Sequence, residues 1–168
     1  MVFADANNNG VYEVTVRATS GGGDTADLTL LVTVTNVNEA PVITTGAADT
    51  LAENSGANAV VEALARTDVD AGDTVTWTLV AGAGDTDNAS FNIAVADLRM
   101  TADVNFEAPI CGGDNICNIR VHATDIGGLT AELAMTITIT NVDENPVFAT
   151  VAAQTAAENQ TAVVVVSA

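Results

Sequence analysis

The phrase "TNVNEAP" at residues 35–41 returns as "TNVDENP" at 140–146. Each copy follows an alternating apolar run, gathers side-chain oxygens into a few residues, and ends on a proline that stops a helix from forming there. Other landmarks keep the same spacing. Pro41 and Pro146, Asn36 and Asn141, Glu53 in "LAEN" and Glu158 in "AAEN", and Thr19 and Thr124 all stand 105 residues apart. At that shift "VYEVTVRATS" (11–20) aligns with "ICNIRVHATD" (116–125), with Val16 on Val121 and Ala18 on Ala123. Several anchors in one register mark an internal repeat. The expected organisation is the end of one repeat at 1–40, a whole repeat at 41–145 and the beginning of a third at 146–168. The two flanking pieces are together too short to rebuild a repeat, and their open strand edges are expected to be sticky in isolation.

Within 41–145 the periodicity is that of strands. In "TVTWTLV", Val75, Trp77 and Leu79 share one face and Thr74, Thr76 and Thr78 the other, the pattern of a half-buried antiparallel strand. The same count places Leu133, Met135, Ile137 and Ile139 inside the last strand. Turn signals divide the repeat into seven strands: "PVIT", "NAVVEALART", "DTVTWTLVAG", "SFNIAV", "DLRMTAD", "CNIRVHATD" and "LTAELAMTITITN". Hydrophobic residues make up 48% of the chain, but only four Phe, one Tyr and one Trp are among them. A core of small branched side chains suits a thin sandwich. Seven strands in about 105 residues predict an all-β, immunoglobulin-like Greek-key sandwich in tandem.

Charge narrows the function. Asp and Glu number 22 against four arginines (Arg17, Arg66, Arg99, Arg120), one histidine and no lysine, a formal charge of −18. Nucleic acid is excluded, because a phosphate binder needs a basic stripe, and an anionic membrane would repel this surface. No segment approaches the length of a membrane span. Residues 1–9 lack the basic start and apolar stretch of an export signal, so the address of an exported protein is expected outside this sequence. Cys111 and Cys117 flank "GGDNI" without the spacing or partners of a zinc site, and a small disulfide closing a turn in an oxidising compartment is the expectation.

The acids gather at the two ends of the whole repeat. At its start lie Asn36, Asn38 and Glu39, then Asp68 and Asp70 in "TDVDAGD" and Asp125 in "ATDIGG". At its end lie Glu53, then Asn105 and Glu107 in "VNFEAP", then Asn141, Asp143, Glu144 and Asn145. Each acid alone reads equally well as a turn residue bonding its own backbone, Asp68, Asp70 and Asp73 included. Gathered, they would repel one another without a counter-charge. A cation taking six to eight oxygens in flexible geometry, calcium, fits such a set better than magnesium or a sulfur-seeking metal. "DVDAGD" also opens like an EF-hand loop, but its twelfth position is Leu79 rather than Glu.

Taken in order, "LAEN", "DVDAGD", "NFEAP", "ATDIGG" and "TNVDENPVF" resemble a cadherin repeat of the kind found in bacterial surface proteins. The resemblance spans 41–148 and extends into both flanks. It implies calcium at each joint between repeats. The upstream joint would use Asn36, Asn38, Glu39, Asp68, Asp70 and Asp125; the downstream joint would use Glu53, Asn105, Glu107, Asn141, Asp143, Glu144 and Asn145. Asn36, Asn105 and Asn141 stand where the family prefers Asp, so each joint carries less charge, and affinities of roughly 10⁻⁴ to 10⁻³ M are expected. The resemblance implies a non-enzymatic, extracellular or cell-surface module, adhesive or spacing, whose partners are the neighbouring repeats and another surface protein or a glycan.

Two rival readings stand beside it. A carbohydrate- or matrix-binding sandwich would want exposed aromatic rings, and Trp77 reads as core. A passive spacer attached to an enzyme would carry its chemistry elsewhere. His122 alternates opposite Val121 and reads as a solvent-facing strand residue with no Ser or Cys to partner it. "NAS" (88–90) and "NQT" (159–161) are glycan acceptors only in a source that glycosylates.

Overall fold

The computed structural model describes residues 10–147 together with 158 and 159. The predicted head of a third repeat therefore lies largely outside the described residues. Strands β1 (Val11–Thr19) and β2 (Thr25–Thr33) form a separate two-stranded antiparallel sheet. Nine strands follow between residues 41 and 145: β3 (Val42–Ile43), β4 (Ala48–Ala52), β5 (Val60–Ala63), β6 (Arg66–Thr67), β7 (Val75–Leu79), β8 (Phe91–Ala94), β9 (Asp97–Met100), β10 (Ile116–Asp125) and β11 (Thr130–Thr140). One sheet runs β4-β11-β10-β7, with β4 parallel to β11; the facing layer is β5-β9-β8, with the pair β3-β6 beside it. The chain crosses between layers after β7 and returns after β9, so β10 sits between β7 and β11 in the Greek-key manner.

The architecture is the all-β sandwich the periodicity predicts, but its strands are divided more finely than the seven expected. "NAVVEALART" breaks in two: pairing with β9 shifts register between Val60 and Glu62, and Leu64 turns inward with its N–H on Ala96 O at 2.8 Å, separating β5 from β6. A strand beyond the predicted seven follows "PVIT". Beyond β3, residues 48–52 cross to the other sheet and add to β11 in parallel. "ADTLA" was not predicted as a strand, since Asp and Ala are poor strand formers and only the exposed edge of β11 recruits it.

The core lies between the layers. Cys117, Ile119, Val121 and Ala123 of β10 alternate inward and are fully buried, as Met135, Ile137 and Ile139 of β11 nearly are. Leu98 and Met100 of β9 and Phe91 of β8 close on them from the other layer, and Trp77 fills one side. Each such side chain contributes roughly 1.5–3 kcal/mol by leaving water. Cys111 and Cys117, also fully buried, are joined by a disulfide.

This scaffold carries its turns and strand ends to the linkers that precede and follow it. The β10–β11 turn needs its glycines: Gly128 has φ +89°, and a Cβ on Gly127 would collide with the side chain of Asn38 from the first linker. No helix among the described residues is long and apolar enough to cross a membrane.

Candidate metal centre

The upstream group is built on the turn after β6. Asp68 Oδ1 accepts the N–H of Asp70 at 3.0 Å, which curls "DVDAGD" so that carboxylate oxygens of Asp68, Asp70 and Asp73 lie within 4.8 Å of one another. Asp73 Oδ1 accepts the N–H of Thr74 at 2.7 Å and faces that of Ile126 at 3.4 Å, tying this turn to the β10–β11 turn. Asp125, 5% exposed at the end of β10, spends Oδ1 on the N–H of Leu129 at 2.7 Å.

The first linker docks on these acids. Asn36 donates its side-chain amide to Asp70 Oδ1, Glu39 donates its backbone N–H to Asp70 Oδ2 at 2.9 Å, and Asn38 donates its amide to Asp125 Oδ2 at 2.9 Å. Those donors hold the Asp70 carboxyl below the usual carboxylate range, Asn36 first and Glu39 second. Two oxygens remain without a hydrogen-bond partner although both are buried: Asp68 Oδ2 and Asp73 Oδ2. A cleft of about 250 Å³ lies between linker and turn, bounded by Asn36, Asn38, Asp70, Asp73 and Ile126.

The downstream group is built on Glu53, at the end of β4 and 2% exposed. Its Oε2 accepts the N–H of Phe106 at 2.7 Å and its Oε1 the N–H of Val142 at 2.8 Å, fastening the second linker to the body of the repeat. These two amides, Phe106 foremost, hold the Glu53 carboxyl below its ordinary value. Carboxylate oxygens of Glu53, Glu107 and Glu144 lie within 4.8 Å of one another. Asn141 donates to Glu107 Oε1 at 2.9 Å, and Asn54 to Glu144 Oε1 at 2.6 Å.

The predicted residues thus divide. Asn36, Asn38, Asp68, Asp70 and Asp125 come together upstream, with Glu39 present through its backbone; Glu53, Glu107, Asn141 and Glu144 come together downstream. Asn105 turns its side-chain oxygen onto the N–H of Ala108 at 2.9 Å, capping its own loop. Asp143 and Asn145 are exposed in the linker and enter no hydrogen bond among the described residues. Sequence reasoning omitted Asp73 and Asn54. Both sit inside quoted motifs, Asp73 as the last letter of "DVDAGD" and Asn54 as the last of "LAEN"; what distinguishes them is a contact with backbone or side chain far along the chain.

Both groups offer oxygen alone, with no sulfur or imidazole, and the two buried, unpartnered oxygens upstream are the feature a hard cation satisfies. The donor sets therefore fit a hard divalent cation.

Solved structures with the same arrangement of strands include extracellular cadherin domains 1-4 of protocadherin gamma B7 (TM-score 0.60, 19% identity over 79% of this chain and 32% of that one). The extracellular domain of protocadherin gamma B4 matches at TM-score 0.62, with 21% identity over 81% of this chain and 23% of that one. Human mucin-like protocadherin EC1-2 matches at TM-score 0.58, with 20% identity over 84% of this chain and 73% of that one. The chain has a cadherin-like fold. It spans less than a third of the length of the first two of these structures. No protein-family model and no curated protein sequence matches it. In this cadherin-like fold both candidate groups sit where the linkers meet the sandwich, and Trp77 and Phe91 are in the core.

Proposed function

We propose that this chain is a slice of a tandem cadherin-like array, with repeats divided at 1–40, 41–145 and 146–168 and a period of 105 residues, stiffened by calcium at each joint. The array belongs to an extracellular or cell-surface protein and acts in adhesion or as an extended spacer. One observation carries the reading. Asp70 and Asp125 receive the amides of the first linker beside two buried carboxylate oxygens, on Asp68 and Asp73, that have no hydrogen-bond partner among the described residues.

When bound, calcium supplies a hard divalent charge that draws oxygens together without strict geometry. Asp68, Asp70, Asp73 and Asp125 would hold it upstream with Asn36, Asn38 and Glu39, whose amide or carboxylate oxygens belong to the linker. Downstream the holders are Glu53, Glu107 and Glu144, with Asn105, Asn141, Asp143 and Asn145 on the same loop and linker. Without the ion, acids from both sides of a joint repel and the linker is held by single hydrogen bonds. With it, donors from linker and repeat share one centre, interdomain freedom falls, and the folded state gains by mass action.

Calorimetric titration with calcium, with magnesium as the competitor, tests the proposal. Uptake with a dissociation constant of roughly 10⁻⁴ to 10⁻³ M, and a narrower spread of distances in small-angle scattering, is the expected result. A chain that takes up no calcium at 10 mM, or that takes it up with no change in scattering or thermal stability, contradicts it.

A further inference from the structure

Three of the four arginines make ordinary surface ion pairs. Arg17 meets Asp27, Arg99 meets Asp97 and Arg120 meets Glu132, in each case through at least one N–H···O contact of 2.7 Å or less between part-exposed side chains. Arg66 differs. Its partner, Asp68, has a side chain only 1% exposed, and the approach of Nη1 to Asp68 Oδ2 is 3.6 Å, near enough for charge attraction and too long for a hydrogen bond. Its other terminal nitrogen, Nη2, donates to the backbone carbonyl of Asp73. The guanidinium therefore joins the first and last residues of the "DVDAGD" turn. Those two residues carry the buried oxygens that have no hydrogen-bond partner among the described residues, Asp68 Oδ2 and Asp73 Oδ2.

We propose that Arg66 is the resident counter-charge of the upstream site: it stabilises the turn when no metal is bound and, by repulsion, sets how weakly a divalent cation is held there. The proposal rests on the calcium reading above and deepens it. A buried carboxylate oxygen without a donor is costly, and a positive charge 3.6 Å away offsets part of that cost without satisfying the oxygen. An incoming cation does satisfy it, but must share Asp68 with a charge of its own sign. Arg66 can hold this position because β6 is a two-residue strand paired only with β3, which sends the side chain, one-fifth exposed, toward the turn two residues later.

The test uses the whole chain and two substitutions, Arg66→Gln, which keeps a donor for Asp73 and removes the charge, and Arg66→Lys, which keeps the charge and loses the planar fork. Calcium affinity is read by calorimetry and melting temperature in EDTA and in calcium. Arg66→Gln is expected to bind calcium on the order of tenfold more tightly, to melt lower in EDTA, and to regain most of the loss in calcium. Arg66→Lys is expected to keep the parental affinity. If Arg66→Gln lowers the melting temperature equally in both buffers while affinity stays put or weakens, Arg66 is only a packing residue and the proposal is overturned, while the calcium joint stands. If the parental chain takes up no calcium, both readings fall together.

Discussion

Residues 11–40 and 116–145 are two versions of one device, a hairpin running into a linker, and they differ in what covers and holds them. Their ladders agree: Val11 faces Thr33 as Ile116 faces Thr138, each partner 105 residues after its counterpart. Their turns agree too, with Gly23 at φ +92° and Gly128 at +89°. Burial does not. Val16, Leu30, Val32 and Val34 are 44–59% exposed, whereas their counterparts Val121, Met135, Ile137 and Ile139 are at most 3% exposed. Both hairpins keep the same strands and register, while the second is covered by a facing layer that the first does not have among the described residues. The linkers divide in the same manner. Among the described residues, the first is fastened to the sandwich that follows it, through Asp70 and Asp125, and the second to the sandwich that precedes it, through Glu53.

The contrast in burial can be broken most forcefully by truncation. Ile137→Ala should cost about 3–4 kcal/mol in urea unfolding, and Val32→Ala at the matching position within about 0.5 kcal/mol; equal costs would mean the first hairpin has a covered face after all. A smaller loss separates the segments again. The Cys111–Cys117 disulfide ties the loop before β10 to the second residue of that strand, and Tyr12 stands at the counterpart of Cys117. Replacing both cysteines by alanine should lower stability by about 2 kcal/mol from chain entropy, and an unchanged unfolding midpoint would show that the bridge constrains nothing.

The linkers supply a third test, read as a shift in melting temperature. Asp70→Ala removes the acceptor for Asn36 and Glu39 and should abolish most of the stabilisation that calcium gives the first joint, while Glu107→Ala should leave that joint alone; the reverse pattern would exchange the two sites. The smallest effect is in acid. Glu53 and Asp70 have folded values below their ordinary ones. Their contribution is therefore complete only above about pH 5, past the ordinary carboxylate values, and is lost as pH falls through the lower folded values. Glu62 has the opposite sign, raised chiefly by its hydrogen bond with Asp49. Glu62→Gln should accordingly stabilise at pH 7, with the gain vanishing as pH drops below the ordinary glutamate value; a gain that persists at pH 3 would exclude this pair as its source.

Much of this was legible before any coordinates. The inward set on β10 and β11 and the core role of Trp77 follow from period-2 alternation, while the grouping of Asp68, Asp70 and Asp125 with Asn36, Asn38 and Glu39 follows from their places at strand ends and in the linker and from the cadherin resemblance. The rest depends on backbone distant in sequence. β4 is a strand because β11 offers an edge; Asp73, brought beside Asp68 and Asp70 by the turn, also faces the N–H of Ile126, fifty-three residues later. Arg66 reads as an unremarkable strand residue until β6 breaks from β5 and turns it onto Asp68. Asn105 shares a motif with Glu107, yet a local N–H claims its oxygen first.

The most direct measurement is the melting temperature of the whole chain in EDTA, in 10 mM magnesium and in 10 mM calcium. At the expected affinities, mass action gives about 1.4–2.7 kcal/mol, or a rise of roughly 5–15 °C in calcium, with little change in magnesium. Identical melting curves in all three buffers would contradict the account, since oxygens gathered at the joints would then be turning solvated acids rather than holding an ion.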